Sequence, residues 1–318
     1  MSEDDLHELH ESDLDRTLEW IRAGAAGREE GVFGPTSIIW QVDREAAVFL
    51  GAGRALLMQL AHPWVATAIA EHSTALADPI RRFHRTFEIV FGLVFGSLDQ
   101  ALATARRLHR RHAAIMGHIP EPLARYGAGS PYYANEVSAL MWVHATLVDT
   151  AVRAYELVRP ELTPGVREHY YADCRQLGAL FSIPVEAQPA DWQEFARYVE
   201  ATIASDQLEV SPAARSIAAG VLAGVGRVPV PRWYRDLTTA LLPEQLRLGY
   251  GLPFGPAEEQ RAYRAVRVLR RFYPFIPNRL RSVPPYSEAL GRLSGRSRPD
   301  LMTRALNRLW IGRPSLPS

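Results

Sequence analysis

The stretch DPIRRFHRTFEIVFGLVFGSLDQALATARRLHRRHAAIMG, residues 78–117, decides the reading of the fold. Asp78 can cap a helix and Pro79 can take its first position, where a missing N–H is no loss. From Phe87 to Phe95 the run is largely apolar, the wall of a helix that must be mostly buried. Gly96-Ser97 breaks the pattern, and Ser97 or Asp99 can cap a second helix running to about Gly117. Arg82 and Thr86, four residues apart, share a face of the first helix with Arg85 beside them. The second helix then delivers His112.

The rest of the chain carries the same signature. Helical segments read as 131–159, 163–181, 189–205, 212–224, 231–249, 256–273 and 298–310, several opened by Thr-Pro, Ser-Pro or Gly-Pro. Asp43 to Ala47 starts a further helix carrying Phe49 and Ala55 to Leu57, and Pro63 sits in a first helical turn just after His62. Strand-like alternation is nearly absent. The expectation is an all-α protein, a single multi-helix globular domain with its pocket between helices. Residues 1–30 read as a polar leader, 31–255 as the catalytic domain and 256–318 as a basic helical extension packed on it.

Composition narrows the chemistry. Nearly half of the 318 residues are apolar and the formal net charge is +1, an ordinary soluble balance with no general pull on nucleic acid. The chain has no lysine, which excludes Schiff-base, PLP and P-loop lysine chemistry. The single cysteine, Cys174, excludes an intrachain disulfide framework and a Cys-rich metal or iron–sulfur site, and reads as a core residue. The acidic N-terminus lacks a signal-peptide pattern, and the uncharged run Ala55 to Ala70 is too short and broken to span a bilayer. A cytoplasmic location is expected. From Arg261 onward Arg is frequent and the acids are Glu288 and Asp300. That basic stripe reads as a solvated or subunit-facing surface first, a peripheral membrane contact second and a nucleic-acid surface third.

Imidazole, guanidinium and hydroxyl groups converging on an apolar cleft would suit a haem: an iron ligand, partners for propionates and an apolar wall. Each residue also has a plainer reading. His112 and His109 share roughly one face; small Ala113 and Ala114 beside His112, and arginines around His109, favour His112 as the inward one. Arg82 and Arg85 on an exposed basic face would be solvated, yet an Arg at the mouth of an apolar wall wants an anion. His62 and His144 fit core histidines bonded to a carbonyl or hydroxyl equally well. Glu71, in Glu71-His72-Ser73, places a carboxylate near the cleft, where an apolar setting would suit a general base; a helix cap or hinge is the plainer reading and the favoured one. Glu-x-x-His pairs, Gly-x-Ser-x-Gly, Walker A and His-Glu-x-x-His motifs are absent.

Several of these runs together resemble the haem-dependent oxygenases grouped with latex clearing protein, a rubber oxygenase, and the fungal mycophenolic-acid oxygenase. They are Arg54 to Pro63 (RALLMQLAHP), Glu71-His72-Ser73, Asp78-Pro79 with Arg82-x-x-Arg85-Thr86, His112-Ala113, and Trp142 to Asp149 (WVHATLVD). Coverage runs from about Gly31 to Phe254. The resemblance implies an all-helical fold around haem b, with His112 as proximal iron ligand and Arg82 and Thr86 beside the haem. Arg85 stands where the rubber oxygenase has a lysine able to cap iron; a guanidinium keeps its proton, so an open or water-bound distal site is implied instead. Glu71 is the candidate for the catalytic carboxylate. The implied activity is oxygenation, with O2, of a small lipophilic substrate such as an alkene or isoprenoid. A non-catalytic haem sensor or carrier and a helical lipid-binding protein are the alternatives. Oligomeric state stays open.

Overall fold

The computed structural model describes residues 11–72, 79–225 and 228–317. Among these residues the α-helices are α1 (Glu11–Gly24), α2 (Ile38–Asp43), α3 (Ala52–Leu60), α4 (Pro63–His72), α5 (Pro79–Phe95), α6 (Leu98–Ala113), α7 (Val137–Val158), α8 (Pro164–Leu180), α9 (Trp192–Ala204), α10 (Pro212–Ala223), α11 (Arg232–Leu241), α12 (Glu244–Gly249), α13 (Pro256–Phe272), α14 (Asn278–Arg281), α15 (Pro284–Leu293) and α16 (Leu301–Ile311). Two antiparallel ribbons, β1 (Met116–His118) with β2 (Pro131–Tyr133) and β3 (Gly224–Val225) with β4 (Val228–Pro229), are the only strands among the described residues. The fold is all-α.

The local signals explain most helix starts. Ser97 Oγ accepts from the Gln100 N–H while Gln100 Oε1 accepts from the Ser97 N–H, closing a capping box at α6. Thr163 and Ser211 cap α8 and α10 ahead of a proline at the first helical position. Pro79 does begin α5, but Asp78 and Ser73 lie outside the described residues.

At the centre lies α7, buried along most of its length. It is fixed to α3 by polar contacts between apolar walls. The Trp142 indole donates to the Met58 carbonyl at 2.9 Å, and the Gln59 amide donates to Thr146 Oγ1 at 3.1 Å. Arg54, 2 % exposed, pairs with Asp149 at 2.6 Å and donates to Thr150 Oγ1 and to the Leu241 carbonyl of α11. Each of the three nitrogens of this buried guanidinium thus has a partner, a helix-end carbonyl, a hydroxyl or a carboxylate, which is what keeps its burial tolerable. Alongside α7 runs a 3₁₀ segment, Ala46–Gly51; a Cβ at Gly51 would collide with the Thr150 methyl, so glycine sets this close approach.

Several expectations need correction. The second helix of the hairpin ends at Ala113, not Gly117: the chain turns as the Ile115 N–H bonds to the His112 carbonyl, then enters β1. The segment 131–159 begins as β2, and the helix starts only at Val137, capped by the Glu136 carboxylate. Strands this short carry no readable alternation. The segment 231–249 is two helices because Pro243 cannot donate to a continuing ladder. The 43–57 helix is instead α2, the 3₁₀ segment and α3. Of the polar leader, α1 docks through Leu14, Leu18 and Ile21, spaced at one helix face and at most 3 % exposed. The Pro-rich stretch 274–285, outside the helical segments read from the sequence, holds α14 and the start of α15.

Candidate active site

Between α4, α5, α6, α7 and the β1–β2 ribbon lies a cavity of about 460 Å³, within the range of roughly 300–1,000 Å³ usual for small-molecule and cofactor sites. Arg82, Arg85 and Thr86 of α5 and His112 of α6 all line it. The hairpin spacing therefore does bring these four groups together. Apolar side chains form most of the remaining wall, among them Val65, Ile69, Ile89, Val90, Val143 and Leu147.

α5 can serve the cavity because its two faces differ. Arg82, Arg85, Thr86, Ile89 and Val90 face inward. Phe83, Phe87 and Phe91 face away and stack around Phe49, with Phe49 to Phe87 at 4.4 Å between ring centres. Trp310 of α16 meets Phe49 edge-on at 4.3 Å. This aromatic packing fixes the helix rotation, and so the direction of the arginines.

Among the described residues the charges on the lining are of one sign: Arg81 and Arg111 join Arg82 and Arg85, and no carboxylate is among them. Burial lowers the pKa of Arg82, helped by the charge of Arg111; burial and then Arg85 lower that of Arg111. The His112 imidazole is pushed down to about 4, by burial first and then by Arg111 and His109, so it is neutral at pH 7 with a lone pair to offer. Four guanidiniums around one apolar cavity make a site for acid groups on a largely apolar ligand.

His109 does not take the outward position expected of it. It is 4 % exposed, with Nδ1 at 3.2 Å from Ser182 Oγ, while its carbonyl accepts from Asn135. It braces α6; His112 is the one at the cavity. The small residues against the cavity are not Ala113 and Ala114, both exposed, but Ala68, Ala134 and Ala139. Glu71 lies at the rim rather than in the wall. Its carboxylate accepts from the Tyr132 hydroxyl at 2.5 Å, and Tyr132 and the neighbouring His72 do line the cavity, their Nε2 and hydroxyl 3.1 Å apart.

His144, left open between core and site by the sequence, lies on the cavity wall. It is 2 % exposed there, with the Cys174 backbone beside its ring. Burial lowers its pKa to about 4. His62 fits the core reading better: its Nε2 lies 3.4 Å from the Tyr126 hydroxyl, away from the cavity wall. Arg111, Tyr132 and Phe181 are lining residues that the sequence alone does not single out. Arg111 sits one residue before His112 in plain view; the others reach the cavity only through tertiary packing.

A family model for the catalytic domain of ER-bound oxygenases (mpaB/B′) and rubber oxygenases matches residues 39–273. The chain belongs to that family. This oxygenase-family region spans α2 to α13 and so contains the whole cavity lining. No curated protein and no solved structure matches the chain. No helix among the described residues is long and apolar enough to cross a membrane, and no cluster of three or more His, Cys, Asp or Glu able to hold a bare metal ion occurs among them.

Proposed function

We propose that the cavity holds haem b and that the protein is a haem-dependent oxygenase of small lipophilic molecules, alkenes or isoprenoid-like chains. The observation that carries the reading is the convergence of the neutral His112 imidazole with four arginines in an apolar cavity that has no carboxylate among its described lining residues. A metal ion bound by protein groups alone needs several ligands; an iron already held by a porphyrin needs only one or two. The donor set of this cavity fits the second case.

His112 would hold the haem iron through its neutral imidazole. Arg82 and Arg111 are suited to the propionates, with Arg85 and Thr86 on the same face of α5. When bound, haem supplies the iron centre at which O2 is used. The chain's own groups do the rest. Ile69, Ile89, Val143 and Leu147 hold an apolar substrate and exclude water, so that polar groups in the cavity act at low dielectric. The Glu71 carboxylate can exchange a proton with solvent and, through the Tyr132 hydroxyl, with the cavity. Arg85 cannot serve as an iron ligand, since a guanidinium keeps its proton.

The test is the absorption spectrum of protein purified after haem supply. A Soret band that shifts or is lost in His112→Ala is the expected result. No band, or an unchanged band in His112→Ala, overturns the assignment.

A further inference from the structure

Away from the cavity, the face built from the end of α13, the loop to α14 and the outer side of α16 is unlike the rest of the surface. Phe272 is 61 % exposed, Phe275 78 %, Leu301 79 % and Leu309 69 %. Every residue from Pro274 to Leu280, PFIPNRL, is exposed. Large apolar side chains gathered in this way mark an interaction surface.

These residues form one strip. Arg279 pairs with Asp300 at 3.9 Å and touches Met302 Sδ at 3.8 Å, joining the loop to the start of α16. At the other end of α16 the Leu309 carbonyl lies 2.9 Å from His84 Nε2. The strip therefore ends on α5, the helix whose far side lines the cavity.

Its charge decides the partner. Arg264, Arg267, Arg271, Arg304 and Arg308 have no ion-pair partner among the described residues. The two acids of this segment are already engaged: Glu288 is buried against Asn307 and the Leu316 N–H, and Asp300 caps α16. Arg267, Arg270, Arg271, Pro274 and Phe275 also line a hollow of about 490 Å³. A two-fold contact with a second copy would press this cationic face against itself. Exposed leucines and a Phe-Ile tip have no use against a nucleic-acid backbone. Arginines around protruding apolar tips match an anionic bilayer, with phosphates for the guanidiniums and an acyl boundary for Phe275, Ile276 and Leu280.

We propose that this face is a membrane-docking site for anionic phospholipid, with Phe275 and its neighbours inserted and Arg267 and Arg271 on headgroup phosphates. Binding is peripheral and reversible, and it is independent of the haem assignment.

The experiment is flotation of the full chain, with and without haem, on phosphatidylglycerol-containing and on pure phosphatidylcholine vesicles. Wild type should float with the anionic vesicles and be released by salt. Phe275→Asp and Arg267→Glu/Arg271→Glu should each weaken partitioning by about tenfold or more. All three positions are exposed, and circular dichroism and Tm check that the variants fold. Absence of flotation, equal flotation of Phe275→Asp, or equal partitioning onto neutral vesicles overturns the proposal. So does a wild-type dimer in sedimentation velocity that Phe275→Asp dissociates, or binding to a DNA duplex as tight as to the vesicles.

Discussion

Replacing Arg111 by Met asks whether the cavity is built for an anion. The Arg111 guanidinium lies against its like-charged neighbour Arg85 and is partly desolvated, both of which lower its pKa. In ligand-free protein its removal therefore relieves repulsion. Because the residue is more than a third exposed, water screens most of that effect, leaving about 0.5 kcal/mol, or roughly 1 °C in Tm for a chain of this length. Toward an acidic ligand the sign reverses. A charge-assisted hydrogen bond is worth about 1.5–3 kcal/mol, and at this exposure the lower end applies, about tenfold in Kd. Calorimetry of ligand-free protein measures the first quantity. Titration with haem and with iron-free protoporphyrin IX measures the second. Arg111→Met should weaken both porphyrins alike, whereas His112→Ala should weaken haem and leave the iron-free ring bound as in wild type. A variant with lowered Tm and unchanged affinity for both ligands would make Arg111 a structural residue and refute the reasoning.

Arg54→Met should cost about 2–4 kcal/mol in urea unfolding, because it orphans the Leu241 carbonyl and leaves Asp149 to Arg153 alone; Arg54→Met/Asp149→Leu should recover part of that loss. The folded-state pKa of His144, about 4, lies below the unfolded value near 6.5, so the unfolded chain binds the extra proton between them. Relative to His144→Phe, wild type should thus lose about 1.4 kcal/mol per pH unit as pH falls from about 6.5 to 4, with a constant difference above that window; a flat difference throughout would show that the ring gains a partner. If Glu71 exchanges protons through Tyr132, Tyr132→Phe and Glu71→Gln should lower turnover by similar factors and the double variant no further, and additive losses would separate the two.

The helices and the four-residue constellation were legible because both rest on short-range rules. Ser97, Thr163 and Ser211 announce helix starts through their own side chains, and Arg82, Thr86 and His112 share a cavity because helix periodicity fixes their faces. What was not legible depends on distance through space. Nothing near Tyr132 shows that its hydroxyl meets Glu71 at the rim, since β1 and β2 are three residues each and are held by one another. His109 and His112 differ in role only because Ser182 comes down on one of them. His144 stays undecided between core and site in the sequence, which cannot show that the wall beside it is a cavity.

The outward face of α5 has a consequence for how the molecule can be divided. Phe49 and Trp310 clamp that face, and Trp310 lies well beyond residue 273, where the span shared with the oxygenase family stops. The tail thus acts as a buttress for the arginine-bearing beam. A chain cut back to the shared region would keep every cavity-lining side chain yet lose the strut that sets their aim.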